Sequence, residues 1–256
     1  MYDVKCTSAL RVPLGSCRSV WLGAEQGNAA AFLHTLADVL AVKCENLNDG
    51  TECRAVLSSV RLPAGENGPQ FRKVIRESRC FKVFPLINDF ADYEQQAVLL
   101  RFLFCGAVTL ENLYAPGDFI LFHGSLLEDG KDAVLLFGES GIGKSTTRSR
   151  WLEEGGTSVA DDALLCFRDG DEFYARCLPT WSDWFKNGSS SRRYPVSEPR
   201  RIKSILWLSR GKESQYVSSV PSAVWHAQLM SAMVLHSNYA MRYFTQDEKS
   251  AYLGRV

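Results

Sequence analysis

The sequence predicts an α/β protein in which a P-loop core with a mixed sheet follows a smaller α+β region. Three observations carry this. An apolar run, Ala133 to Phe137, leads into Gly138-Glu139-Ser140-Gly141-Ile142-Gly143-Lys144-Ser145, and a helical stretch leads out, which is the strand–loop–helix order of a phosphate-binding loop. Strand and helix patterns occur in both halves of the chain. The composition is that of a globular protein, with 46% hydrophobic and 23% charged residues among 256, which excludes disorder of the whole chain.

The first region, residues 1–115, is expected to hold strands at 18–22, 54–60 and 80–87. Between the first two, Asn28 is expected to cap a helix whose Phe32, Leu33, Leu36, Val39 and Leu40 share one face. Asp89 is expected to cap a second helix, with Phe90, Tyr93, Ala97, Leu100 and Phe104 at helical spacing. Ala115-Pro116-Gly117-Asp118 is a turn signal and the expected boundary.

The second region, 116–256, opens with a strand from Phe119 to Phe122 that ends in His123-Gly124. Asp129-Gly130 is a hairpin signal, and Ala133 to Phe137 reads as a buried strand. A helix from Ser145 to Glu154 should stop at Gly155-Gly156. One strand is expected over 157–167, with two carboxylates set into it, followed by Asp169-Gly170 and a partner strand at 172–178. A long loop over 179–201, a strand over 202–208 and a mostly helical stretch over 221–241 complete the expectation. The region is expected either to be trimmed at its C-terminal end or to belong to a fragment or a diverged copy.

Several classes of function are excluded or disfavoured by composition. Lys plus Arg and Asp plus Glu are both 29, so no surface-wide charge favours nucleic acid or anionic lipid as a partner. No apolar run approaches the ~20 residues that span a bilayer, and the N-terminus lacks a secretory pattern. The eight cysteines, at 6, 17, 44, 53, 80, 105, 166 and 177, form no C-x-x-C and have no His at zinc-ligand spacing. Reduced thiols in a cytoplasmic protein are expected.

The chemistry centres on residues 138–145. Glycines let the backbone wrap closely and turn its N–H groups toward phosphates, and the following helix N-terminus adds partial positive charge. Lys144 is expected on the β- and γ-phosphates and the Ser145 hydroxyl on Mg²⁺. Val159-Ala160-Asp161-Asp162 follows, and a carboxylate ending an apolar strand beside the loop is the usual second Mg²⁺ anchor. On a regular strand, adjacent residues face opposite ways, so one Asp is expected on the metal and the other on the attacking group. His34, His226 and His236 read as structural. The segment 186–212 holds eight basic residues against the single acid Glu198, and is either a clamp for phosphate or an acidic peptide, or a solvated loop. Trp181 and Trp184 read as packing or as a cover for the site, and of Arg148 and Arg150 only one can face the phosphates.

His123-Gly124, Val134 to Ser145 and Val159 to Asp162, in this order, strongly resemble HPr kinase/phosphorylase, a family that phosphorylates a serine of a small carrier protein and shares its nucleotide-site layout with phosphoenolpyruvate carboxykinase. The resemblance covers about residues 119–168. It implies His123 near the transferred phosphate, Asp161 as base on the acceptor hydroxyl, Asp162 as metal carboxylate, and ATP on residues 138–146. It also implies a reverse reaction on phosphoserine and self-association. The family has Glu after the loop serine, where this chain has Thr146, and its later Arg-Gly-rich strand is replaced by Leu178-Pro179-Thr180-Trp181-Ser182-Asp183-Trp184. The whole layout is more similar to shorter HPr-kinase-like proteins of peptide natural-product cassettes, among them the SynChlorMet cassette protein and the kinases of lasso-peptide precursors.

The expectation is therefore an ATP- and Mg²⁺-dependent kinase acting on a serine of a peptide or small protein. The alternatives are an ATP-binding module that recognises a leader peptide or partner enzyme without transfer, and an ATPase or small-molecule kinase.

Overall fold

The computed structural model describes residues 6–47, 51–59, 73–85, 99–160, 162–178, 195–211 and 220–255. Two mixed sheets frame a continuous apolar core. The first comprises β1 (Ser8–Pro13), β2 (Ser19–Ala24), β3 (Cys44–Asn46), β4 (Ala55–Leu57), β5 (Lys73–Glu77) and β6 (Cys80–Phe84), in the order β3-β1-β2-β4-β6-β5. β2, β4 and β6 run parallel, and β1, β3 and β5 join them antiparallel. The expected strands are the inner, parallel ones. Those added by the structure lie outside them; β3 is very short and β5 half-exposed, which leaves little apolar signal.

α1 (Asn28–Leu40) packs on β1 and β2, and its five expected apolar residues are all buried. Gly27, not Asn28, holds the capping position, with φ 89°. Asn28 is already helical, because the chain enters through a left-handed turn that suits glycine. The start of the second helix, with Asp89, Phe90, Tyr93 and Ala97, lies outside the described residues. From Leu99 the helix runs through a widened π-type turn, Arg101–Gly106, into α2 (Ala107–Tyr114), with Leu100 and Phe104 fully buried.

The second sheet has the order β10-β8-β9-β13-β12-β11-β7, from β7 (Phe119–His123), β8 (Ser125–Asp129), β9 (Asp132–Phe137), β10 (Ser158–Ala160), β11 (Ala163–Asp169), β12 (Glu172–Cys177) and β13 (Arg200–Trp207). β9 and β13 are parallel, and the other pairs antiparallel. α3 (Lys144–Glu153) follows β9. The single strand expected over 157–167 is corrected to two. β10 pairs with β8, whereas β11 pairs with β7 and β12. The chain changes partners at the acidic pair, so Asp162 sits on a bend, where its carbonyl accepts the Gly124 N–H at 3.0 Å.

The helical stretch at 221–241 is likewise two helices, α4 (Ser222–Val234) and α5 (Asn238–Met241), and α6 (Gln246–Leu253) follows them. α6 opens on a reciprocal Thr245/Glu248 cap, which satisfies two backbone donors. Its Tyr252 is buried in the core and shares a 2.6 Å hydrogen bond with Ser237 Oγ. Glu248 also takes both arms of the Arg76 guanidinium from β5, at 2.6 and 2.5 Å, tying the last helix to the first sheet. No helix among the described residues is long and apolar enough to cross a membrane. None of the eight cysteines is in a disulfide, and Cys53, Cys105 and Cys177 are buried.

Candidate functional site

Residues 138–143 link the C-terminal end of β9 to α3. Leu208, just past β13, donates its N–H to the Phe137 carbonyl at 2.8 Å. A Cβ at Gly138 would lie 2.5 Å from the Leu208 carbonyl, and φ there is 151°. Glycine is therefore required by space as well as backbone. Gly143, with φ 116°, occupies the capping position of α3 and supplies no side-chain cap, leaving the first-turn N–H groups for another acceptor.

Within this loop Glu139, Ser140, Gly141, Ser145 and Thr146 are exposed, Ile142 and Gly143 half-buried, and Gly138 buried. Lys144 is buried, and its Nζ donates to the Gly138 and Glu139 carbonyls at 2.9 and 3.0 Å. Burial lowers its pKa from the ordinary lysine value, and the charge of Asp162 acts in the opposite direction. On the same helix Arg148 is buried and donates to Ser158 Oγ at 2.8 Å, while Arg150 is exposed. Arg148 thus braces β10.

His123 ends β7, paired with Ala163 at the start of β11. A Cβ on Gly124 would come within 2.6 Å of the Leu136 carbonyl, so the His-Gly step lets the chain enter β8 close against β9. His123 is 9% exposed. Its Nδ1 lies 3.3 Å from Asp162 Oδ1 and 3.3 Å from His236 Nε2. His236 Nε2 is in turn 3.2 Å from the Asp162 carbonyl oxygen. The two rings meet edge to face with centroids 5.2 Å apart. His123 Nε2 is buried and has no hydrogen-bond partner.

His236, expected to be structural, is brought to the same cluster. α4 packs on β7 and sets Trp225 edge-on against Phe137 at 5.3 Å, and the turn after α4 delivers His236, 4% exposed, to the acidic bend. No spacing rule links a histidine to an aspartate 74 positions earlier, so the motif could not have found it. His34 and His226 are exposed.

Asp161 lies outside the described residues, as do Trp181, Trp184 and the 186–194 part of the basic segment. Of that segment's described residues, Arg200 pairs with Glu128 at 2.7 Å, Arg201 with Asp132 at 2.8 Å and Lys203 with Asp129 at 2.9 Å. These pairs fasten the start of β13 to the β8–β9 hairpin, at the opposite end of β9 from the loop.

Over 70 residues the chain is 41% identical to HPr kinase/phosphorylase of Alkaliphilus metalliredigens, an alignment that covers 27% of this chain and 22% of that relative. The solved Hpr(Ser) kinase/phosphatase from Coxiella burnetii matches 39% of this chain and 65% of its own, with 15% identity and a TM-score of 0.27. The chain thus spans about a fifth of the length of the curated relative. It is an α/β protein with an HPr kinase-like segment. Residues 87–252 match the family of the SynChlorMet cassette protein ScmC, well over half of the chain, and the chain belongs to that family.

Proposed function

We propose that this protein is an ATP- and Mg²⁺-dependent kinase that phosphorylates a serine of a peptide or small protein, with 116–256 as its kinase-like domain and 1–115 as an accompanying region. The observation that carries the reading is the meeting of two sequence-distant groups, Asp162 Oδ1 and His123 Nδ1 at 3.3 Å, with the charge of Asp162 acting to raise the pKa of Lys144. The homology to HPr kinase/phosphorylase gives that meeting its chemical sense.

In this reading the backbone N–H groups of Gly138, Glu139, Ser140, Gly141, Ile142, Gly143 and Thr146 cradle the nucleotide phosphates. Lys144 exchanges its two carbonyl partners for β- and γ-phosphate oxygens. The exposed Ser145 hydroxyl and the Asp162 carboxylate hold Mg²⁺, which prefers oxygen donors of this kind. When bound, Mg²⁺ draws charge from the transferred group. Asp161 accepts the proton of the serine hydroxyl as the new P–O bond forms and ADP leaves. His123 faces the transferred phosphate. Positioning and electrostatics then supply most of the acceleration. ATP and Mg²⁺ are abundant in the cytoplasm, where we place the activity.

The test is incubation with γ-labelled ATP, Mg²⁺ and a serine-bearing candidate peptide. Label on serine that vanishes with Asp161→Asn is the expected result. Nucleotide binding without transfer would replace the proposal by a recognition module, and phosphate release without labelled peptide by an ATPase.

A further inference from the structure

His123, Asp162 and His236 place ligand atoms within 4.8 Å of one another, and their spacing is informative. Charge-assisted hydrogen bonds from nitrogen to a carboxylate run about 2.7–2.9 Å. Here His123 Nδ1 stands 3.3 Å from both Asp162 Oδ1 and His236 Nε2. A single ring nitrogen cannot direct one proton at a carboxylate and at a second imidazole together. A cation lying between the three atoms would use all of them at once.

The distances also select the cation. With metal–ligand bonds of about 2.0–2.2 Å, the corners of a tetrahedron lie roughly 3.3–3.6 Å apart, whereas those of an Mg²⁺ octahedron at about 2.0–2.1 Å lie roughly 2.9 Å apart. Two of the three edges match the tetrahedron. Two imidazoles and a carboxylate are also the borderline donor set preferred by Zn²⁺ and its first-row neighbours, and Mg²⁺ favours oxygen. Both histidines are buried, while the Asp162 side chain, 18% exposed, leaves an approach from outside.

We propose that His123, Asp162 and His236 form a binding site for a first-row divalent transition-metal ion of the Zn²⁺ type, with the fourth position open to water or a phosphate oxygen. The site needs no nucleotide, so it stands or falls apart from the kinase reading, although the two share His123 and Asp162. His236, contributed by the turn between α4 and α5, is the ligand that distinguishes it from a site for the Mg²⁺ of a nucleotide.

The test uses the full chain, stripped with chelator and dialysed against Zn²⁺ without ATP, with the bound metal counted by mass spectrometry. About one ion per chain is expected, retained in excess Mg²⁺, and His236→Ala should weaken uptake by roughly 10–100-fold or more. Lys144→Met should leave uptake intact, which separates this outcome from a failure of nucleotide binding. Co²⁺ replacing Zn²⁺ should give visible bands of tetrahedral nitrogen and oxygen ligation. His236→Cys should keep the ion and add a sulfur-to-cobalt charge-transfer band, a gain of signal that a misfolded variant would not give. No uptake by the wild type, uptake indifferent to both His236 variants, or a sulfur band in the wild type (which would point to the thiols of the first sheet) would overturn the proposal.

Discussion

Among the polar clusters of the described residues, the one around Arg76 and the one around His123 are built on opposite principles. Around Arg76, a bidentate carboxylate at 2.6 and 2.5 Å, the Tyr243 carbonyl at 2.9 Å and the Tyr114 hydroxyl meet the guanidinium. Tyr114 passes a further hydrogen bond to Glu248 at 2.9 Å. Donors face acceptors, and the spacing is that of charge-assisted bonds. Around His123, two ring nitrogens and a carboxylate converge at 3.3 Å, and the Nε2 of that ring meets no partner. The first cluster is saturated and fastens elements together. The second holds its members farther apart, and the proposed metal site rests on that spacing.

The contrast is open to attack, beginning with the largest expected effect. Lys144→Met should lower phosphoryl transfer by roughly 10²–10³-fold or more, the loss typical of a removed electrostatic donor, while the melting curve barely moves; labelled-phosphate assays and calorimetry measure the two. Glu248→Gln should do the reverse. It strands the Arg76 charge among partly buried neighbours, which costs about 2–3 kcal/mol in a urea titration, and leaves the transfer rate of the folded protein unchanged. Gly124→Ala forces a methyl group against the Leu136 carbonyl at 2.6 Å. It should cost about 1–3 kcal/mol and reduce transfer as well, because it displaces the neighbouring His123.

Acid should separate the clusters next. Arg76 holds the Glu248 carboxyl down at about 2, against 4.5 for an unperturbed group. A depressed carboxyl pKa adds stability that is complete above the unfolded value and is lost as pH falls toward the folded one. With the side chain 22% exposed, solvent screening reduces this to roughly 1–2 kcal/mol. Denaturation midpoints between pH 4.5 and 2 should therefore fall in the wild type, and the Glu248→Gln variant should lack this component. Smallest of all, Arg201→Ala at the exposed pair with Asp132 should leave the melting temperature within error of the wild type.

The sequence read some of these features well and others not at all. The loop 138–145 was legible because each fixed position answers a steric or electrostatic demand that no other residue type meets; Gly138, pressed against Leu208, is the clearest instance. The helix face of Phe32, Leu33, Leu36, Val39 and Leu40 was legible because a buried stripe must repeat at the helical period. The bend at Asp162 was hidden, since Val159 to Phe167 has the composition of one strand and only the exchange of pairing partners breaks it. The place of His236 was hidden for a different reason. Its position beside Asp162 comes from the seating of α4 on β7, which is a tertiary fact with no local signature.

The parallel pairing of β9 with β13 has a consequence for how the protein is made. The strand that carries the loop borders a partner whose residues follow some seventy positions later, with Asp132 opposite Arg201 and Phe137 opposite Trp207. A chain emerging from the ribosome exposes the glycine-rich turn long before its flank arrives, and closing so distant a contact is slow. Nascent chains halted before residue 200 should therefore hold an unfinished pocket, and ligand capture should begin abruptly once β13 has cleared the exit tunnel.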